Sequence, residues 1–350
     1  MDYYFLDQVS WEHSQGLYHA AAHLGREGLF ILRPGTPYVC IGRHQDARQV
    51  IDLDFTEKQH IPVFRREVGG GAVYLDGEQL FYQLVIRADH LEVPRNKKAF
   101  YRKFLSPVVE TYRAFGVQAE YKPVNDIIVG QRKISGNGAA EINDMVVLVG
   151  NFILDFNYEV MSQCLRVPDE KFRDKVFKTL RENLSTIKRE TGKIPTTRAL
   201  AKDLVKRYAQ WFGHAPIKTE VDGELAQKAD ELIAEMHTPE WLYENDRRTP
   251  ETSIKIREGV YVVRNAYKAP GGLIQVTAIQ RDGYLTEVHL SGDFFFYPSK
   301  DLKRLEEALS GIKAEKEEVL EAVSGFYASQ GIESPGLQPE DWSMALFPTN

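Results

Sequence analysis

Apolar residues recur along this chain at two spacings. Over residues 11–24 and 97–115 they fall three and four apart, the period of a helix with one buried face. In the second stretch Phe100, Phe104 and Leu105 share that face, and the basic residues of 95–105 give it a cationic outer side. Shorter runs at 29–32, 38–41, 62–66 and 127–129, and longer ones at 80–86 and 146–156, read as strands. Helical periodicity returns at 171–184, 197–212 and 225–237. The 197–212 helix should bring Trp211 and Phe212 against the core and end at Gly213. From residue 253 the pattern changes to alternation, at 254–256 and 274–276, and then to helices at 302–309 and 316–327.

This order predicts an α+β protein whose first part folds around one mixed sheet. A chain of 350 residues exceeds one comfortable core. Two domains are therefore expected, a catalytic one over residues 1–235 and a smaller α+β accessory one over 240–350, with the 225–237 helix as linker. With 43% hydrophobic and 27% charged residues the composition is that of a soluble globular protein. No run approaches a membrane span, and the start Met1-Asp2-Tyr3-Tyr4-Phe5 lacks a basic region followed by an apolar one, so cytoplasmic residence is the expectation.

A net charge of −6 argues against an extended nucleic-acid footprint, which needs clustered cations. The cationic 95–105 face reads either as a solvated helix face or as an attractor for an acidic partner. Cys40 and Cys164, the two cysteines, exclude a disulfide framework. Cys40 sits in an apolar run as core filling, and Cys164 has no neighbouring histidine or glycine-rich segment to activate it. His19 and His23 have an i, i+4 spacing but no third ligand, so no metal site is expected there.

Candidate chemistry is concentrated in two segments. Phe64-Arg65-Arg66-Glu67-Val68-Gly69-Gly70-Gly71-Ala72-Val73-Tyr74 runs two fixed cations into three glycines. Such a backbone can approach a ligand closely and turn its N–H groups on an anion, while arginine holds that anion or stacks on a planar group. In Asn125-Asp126-Ile127-Ile128-Val129-Gly130-Gln131-Arg132-Lys133-Ile134-Ser135-Gly136-Asn137-Gly138, a hairpin turning at Gly130-Gln131 would present Lys133 as a mobile point charge for a phosphate. Asn125 and Asp126 could serve an adenine edge, a ribose or a magnesium ion; Asp126 equally suits a turn.

These two segments, in this order and separation, resemble the lipoate-protein ligase family of the biotin/lipoate ligase superfamily. Gly42-Arg43-His44-Gln45, Val149-Gly150-Asn151-Phe152-Ile153-Leu154, and Trp241 with Thr249-Pro250 and Ser291-Gly292-Asp293-Phe294-Phe295 extend the likeness through the accessory domain of the two-domain bacterial form. The resemblance implies an α+β ligase fold and ATP-dependent conversion of lipoate to lipoyl-AMP. The lipoyl group then passes to a lysine of a lipoyl carrier domain, such as a glycine cleavage H protein or a 2-oxoacid dehydrogenase E2 domain.

By the same resemblance Lys133 is the catalytic lysine, and Arg66, Gly70, Gly71, Ala72, Asn125, Asp126, Lys133, Ser135 and Gly136 bind the nucleotide and adenylate, with Asp126 on Mg2+. Val68, Tyr74, Ala140 and Val149 would line the acyl pocket. Val68, Ala139-Ala140 and Val149 stand where family members often carry polar or charged residues, which makes the pocket more apolar. Two other readings remain open. One is a cysteine-dependent octanoyl or lipoyl transferase of the same fold; the other is a non-catalytic module that only holds a lipoyl group.

Overall fold

A computed structural model describes residues 1–94, 96–246, 254–257 and 260–347. Thr249-Pro250 and Arg95, singled out above, lie outside the described residues. The chain divides into two compact units. The first comprises Met1–Cys40, Val50–Arg66 and Val73–Leu242, and the second Ile41–Gln49, Glu67–Ala72 and Tyr243–Asn350.

The first unit is built on a six-stranded sheet in the order Asn137–Ile142, Met145–Ile153, Gln79–Arg87, Gly28–Pro34, Asp2–Val9, Ile217–Lys218. Its central strand pairs antiparallel on both sides, with Leu148 opposite Leu84 and Leu84 opposite Leu29. Asp2–Val9 runs parallel to Gly28–Pro34, so the sheet is mixed as the apolar pattern implied. One face carries Leu29, Ile31, Leu80, Tyr82, Leu84, Val146 and Leu148, which pack with Phe100, Phe104, Leu105, Val108 and Tyr112 of the helix Lys97–Ala114 in one buried cluster. Trp211 and Phe212, at the end of Thr197–Phe212, pack against the same core.

The sequence reading of one sheet needs correction. Tyr38–Ile41 joins Val63–Arg65 and Val73–Leu75 in a separate three-stranded sheet, and Asp126–Val129 joins Ala119–Lys122 and Arg132–Ser135 in another. Strands of three or four residues carry too short an alternation to specify which sheet they enter. The cationic face of Lys97–Ala114 is also smaller than expected, because Lys97 is buried on Glu141 and Lys103 is paired with Glu92.

The second unit has a four-stranded antiparallel sheet, Ile254–Arg257, Val260–Ala269, Gly272–Arg281 and Tyr284–Gly292. Ile274, Val276, Ala278 and Leu290 from this sheet form a core with Leu302, Leu305 and Leu309 of Asp301–Leu309 and with Trp342 of Pro339–Leu346. Among the described residues no helix is long and apolar enough to cross a membrane.

Candidate active site

Lys133 lies on the hairpin formed by Asp126–Val129 and Arg132–Ser135. The pairing steps from Ile127 opposite Ser135 to Ile128 opposite Lys133, so one strand holds an extra residue, Ile134. A bulge of this kind re-aims the side chains beside it. Ile134 turns into the core while Lys133 stays part-exposed, its Nζ 2.7 Å from Asp126 Oδ1 with side-chain exposures of 36% and 33%. The backbone on either side is fixed. Ser185 N–H donates to Lys133 O at 2.8 Å, and the Tyr112 hydroxyl donates to Ile134 O at 2.6 Å.

Beneath the hairpin is a buried polar network. Ser135 Oγ donates to Asn151 O at 2.7 Å and lies 2.9 Å from the Tyr82 hydroxyl, which in turn donates to Asn137 Oδ1. Asn125 and Asn137 exchange hydrogen bonds, each Nδ2 donating to the other's carbonyl at 2.5 and 2.9 Å. Gly136 N–H donates to Asn151 Oδ1 at 2.9 Å, and Asn151 Nδ2 continues to Gln79 Oε1 at 2.7 Å. From Gln79 the path ends at Tyr74 O, 3.0 Å from Nε2. Gly150 is required where it stands, because a Cβ there would lie 2.3 Å from Asn137 Oδ1 and 2.4 Å from the Tyr82 hydroxyl. Burial pushes the Tyr82 phenol up, so it remains a neutral donor.

Of the residues assigned to the nucleotide, the structure therefore gathers Asn125, Asp126, Lys133, Ser135 and Gly136. Ala140 and Val149 lie on neighbouring strands of the six-stranded sheet, with Ala140 opposite Val147 and Gly138 opposite Val149. Because side chains alternate, both point to the face opposite the Leu84–Leu148 core. Gln83, paired with Val149, lies on that face too and donates to Ser14 O of the helix His13–His23. Tyr74, buried on Val73–Leu75, meets Phe156 edge to face. Burial first, and then the carboxylate of Asp76, raises its phenol.

The arginine pair divides in role. Arg65 is fully buried and donates to the carbonyls of Trp241 and Leu242, while Trp241 Nε1 donates back to Arg65 O at 2.9 Å. It is a structural cap for the Pro239–Leu242 turn of helix. Arg66 is buried with Nη1 3.2 Å from Cys40 O and 3.6 Å from its Sγ.

The glycine segment belongs to the second unit. A Cβ at Gly42 would lie 1.8 Å from Gly70 O, so the two loops carrying these glycines touch backbone to backbone. Gly70 N–H donates to Phe294 O at 3.3 Å, Val68 is fully buried with its carbonyl accepting Arg43 N–H, and Gly71 and Ala72 follow in the same loop. His44 stacks on Phe294 at 5.3 Å. Gly42 and Gly69 thus serve close packing, since a Cβ at Gly69 would lie 2.8 Å from Phe294 O, whereas one at Gly71 would meet only ordinary contacts.

Both cysteines are buried. Burial, and then Asp52, pushes the Cys164 thiol up to about 12; burial also raises Cys40 against the pull of Arg66. His19 is buried with Nδ1 on Gln15 O, and no group of three or more metal-ligating side chains occurs among the described residues.

Sequence reasoning missed Tyr82, Tyr112, Ser185 and Glu190. For Asn151 a signal existed, since it interrupts an otherwise apolar strand; Tyr82 and Tyr112 are hidden within apolar runs that read as plain core.

Comparison with known proteins places these observations in context. Residues 7–209 match the lipoyl protein ligase A/B catalytic domain, and residues 260–342 match the bacterial lipoate protein ligase C-terminus. The chain is 26% identical over 304 residues to lipoate–protein ligase 1 of Staphylococcus aureus, covering 86% of this chain and 85% of that protein. The bipartite lipoate protein ligase of Thermoplasma acidophilum, studied with its E2 lipoyl domain, superposes with a TM-score of 0.62 at 23% identity over 71% of this chain and 98% of its own. P. falciparum LipL1 in complex with lipoate gives 0.67 at 16% identity over 95% of both chains. At these identities the two structures speak to the fold alone.

Proposed function

We propose a reaction and its residues from the premise that the chain belongs to the lipoyl protein ligase A/B family, whose catalytic domain covers residues 7–209 of its 350. The protein is an ATP-dependent lipoate–protein ligase acting on a lipoyl carrier domain. A carboxylate does not acylate an amine unaided, so the first step forms a bond from a lipoate carboxylate oxygen to the α-phosphorus of ATP and expels pyrophosphate. In the second step the neutral ε-amine of a carrier lysine attacks the acyl carbon. The amide C–N bond forms, AMP leaves with the electron pair of the C–O bond, and the amine proton passes to solvent.

The observation that carries this reading is Lys133, a cation held half-open on a bulged hairpin 2.7 Å from Asp126 and above a fully bonded polar network. Its ammonium would neutralise the α-phosphate as charge develops there and stay with it through transfer. Asn125, Ser135 and Gly136 shape the nucleotide side of the site, and Arg66 adds its guanidinium. Gly70, Gly71 and Ala72 keep the adenylate-binding role that the family pattern implies. Tyr74, Ala140, Val149 and Val68 provide the apolar lining for the acyl chain.

Magnesium would arrive with ATP. The single carboxylate of Asp126 suits a metal that keeps phosphate and water oxygens as its other ligands. Residues 1–235 carry this chemistry and 240–350 act as accessory domain. The carrier is an H protein or an E2 lipoyl domain, and the reaction takes place in the cytoplasm.

The test is incubation of the full chain with lipoate, MgATP and a carrier domain, following pyrophosphate release and carrier mass. The expected result is stoichiometric pyrophosphate and one added lipoyl group on lysine. Ligand binding without pyrophosphate would instead identify a holding module.

A further inference from the structure

We infer that Glu190 is a positioning residue for Lys133, acting through Arg132 and Ser185; the inference rests on the catalytic reading of Lys133. Glu190 lies in the short helix Ile187–Thr191, which Thr186 caps by accepting Arg189 N–H at 3.0 Å. Its Oε1 accepts from Arg132 Nη2 at 2.8 Å and from Ser185 Oγ. Arg132 directly precedes Lys133, and Ser185 gives its N–H to the Lys133 carbonyl at 2.8 Å. One carboxylate oxygen thus holds the neighbour of Lys133 through its side chain and the peptide of Lys133 through an intermediary.

Arg132 Nε is buried with no partner among the described residues, which leaves Glu190 as the group that orients this guanidinium. Burial alone would raise the Glu190 carboxyl, but Ser185 and then Arg132 outweigh it and hold the group below its ordinary value, so it is ionised wherever the enzyme works.

The arrangement serves stability as well as position. The Arg132 side chain is 34% exposed, that of Glu190 only 16%, and Ser185 is fully buried. Removing the carboxylate would leave a buried hydroxyl and a half-buried guanidinium short of a partner, so part of any loss would be in folding. Geometry is different, because a shift of about 1 Å in a group that stabilises a transition state can cost about 10²-fold in rate. A bulged strand can relax by sliding its extra residue, and the hydrogen bonds at Lys133 O and Ile134 O prevent that.

The experiment compares full-length wild type, Glu190→Gln, Ser185→Ala, Lys133→Ala and the double variant Lys133→Ala/Glu190→Gln. The readouts are pyrophosphate release, lipoate binding by calorimetry, and thermal unfolding. In Glu190→Gln, kcat should fall about 10–100-fold with lipoate affinity nearly unchanged, while any drop in the unfolding midpoint leaves the protein folded at the assay temperature. Ser185→Ala should fall in the same direction by less. The double variant should be no slower than Lys133→Ala, since a positioning residue has nothing left to position.

The inference is overturned by a wild-type kcat in Glu190→Gln, by a loss that merely tracks the unfolded fraction, or by effects that multiply in the double variant. Full activity of Lys133→Ala would be a separate failure, that of the catalytic reading, and the inference would fall with it.

Discussion

At the scale of single residues, two side chains decide between an adenylate and a thioester. Lys133 contributes charge at a site reached by solvent, so Lys133→Ala should fold normally, keep its unfolding midpoint, and lose about 10²–10³-fold in carrier lipoylation, the usual effect of removing one preorganised donor. Cys164 points the other way. With its thiol pushed up to about 12, only about one molecule in ten thousand carries the thiolate at pH 8. The Cys40→Ser/Cys164→Ser variant should therefore retain ATP-dependent transfer and lose only some stability, because both sulfurs are buried. A thioester trapped on Cys164 by mass spectrometry would refute this and favour the transferase reading.

At the scale of elements, the helix Lys97–Ala114 supports the site through Tyr112. Its hydroxyl donates to Ile134 O at 2.6 Å and accepts Ile153 N–H at 3.3 Å, linking the helix to the bulge and to the central sheet. Tyr112→Phe leaves the Ile134 carbonyl short of this donor beside a fully buried ring, while Asn151 O keeps Ser135 Oγ, and should cost about 1–3 kcal/mol in urea unfolding. The same variant should lower transfer, since Ile134 adjoins Lys133. How far such elements could be read from sequence varies with the kind of signal. The Asp126–Ser135 hairpin was legible because β-branched residues flank Gly130-Gln131, and the Lys97–Ala114 helix because Phe100, Phe104 and Leu105 mark one face. The bulge was not, since Lys133-Ile134-Ser135 alternates identically with or without a register step. Nor was the separation into three sheets, because pairing of Tyr38–Ile41 or Asp126–Val129 depends on which distant strand offers an edge. Glu190 and Ser185 escaped for a related reason: neighbours in sequence do not reveal that their partner is the hairpin of Lys133.

At the scale of the whole molecule, the chain enters the second unit twice, at Ile41–Gln49 and Glu67–Ala72, before passing into it for good at Tyr243. Within that unit the first loop is held by residues 243–246. Glu244 takes both ends of the Arg43 guanidinium and Lys303 Nζ at 2.9 Å, Asn245 Nδ2 donates to Arg43 O at 2.6 Å, and Asp246 accepts Ala47 N–H at 2.7 Å. Burial would raise the Glu244 carboxyl, but Arg43 and then Lys303 overcome it and bring it down to about 2 from 4.5. A depressed carboxyl stabilises the folded state fully above its unfolded pKa and loses that contribution as pH falls through its folded one. That lowering corresponds to about 3 kcal/mol, which solvent screening of a 21% exposed carboxylate reduces to about 1–3. Glu244→Gln should thus lower stability at pH 7 by that amount, and the gap from wild type should close as pH drops from about 4.5 to about 2. Urea midpoints of both proteins across that range provide the measurement. A gap that stays constant with pH would mean that Glu244 acts through packing, and the ionic clamp on the Arg43 loop would have to be abandoned.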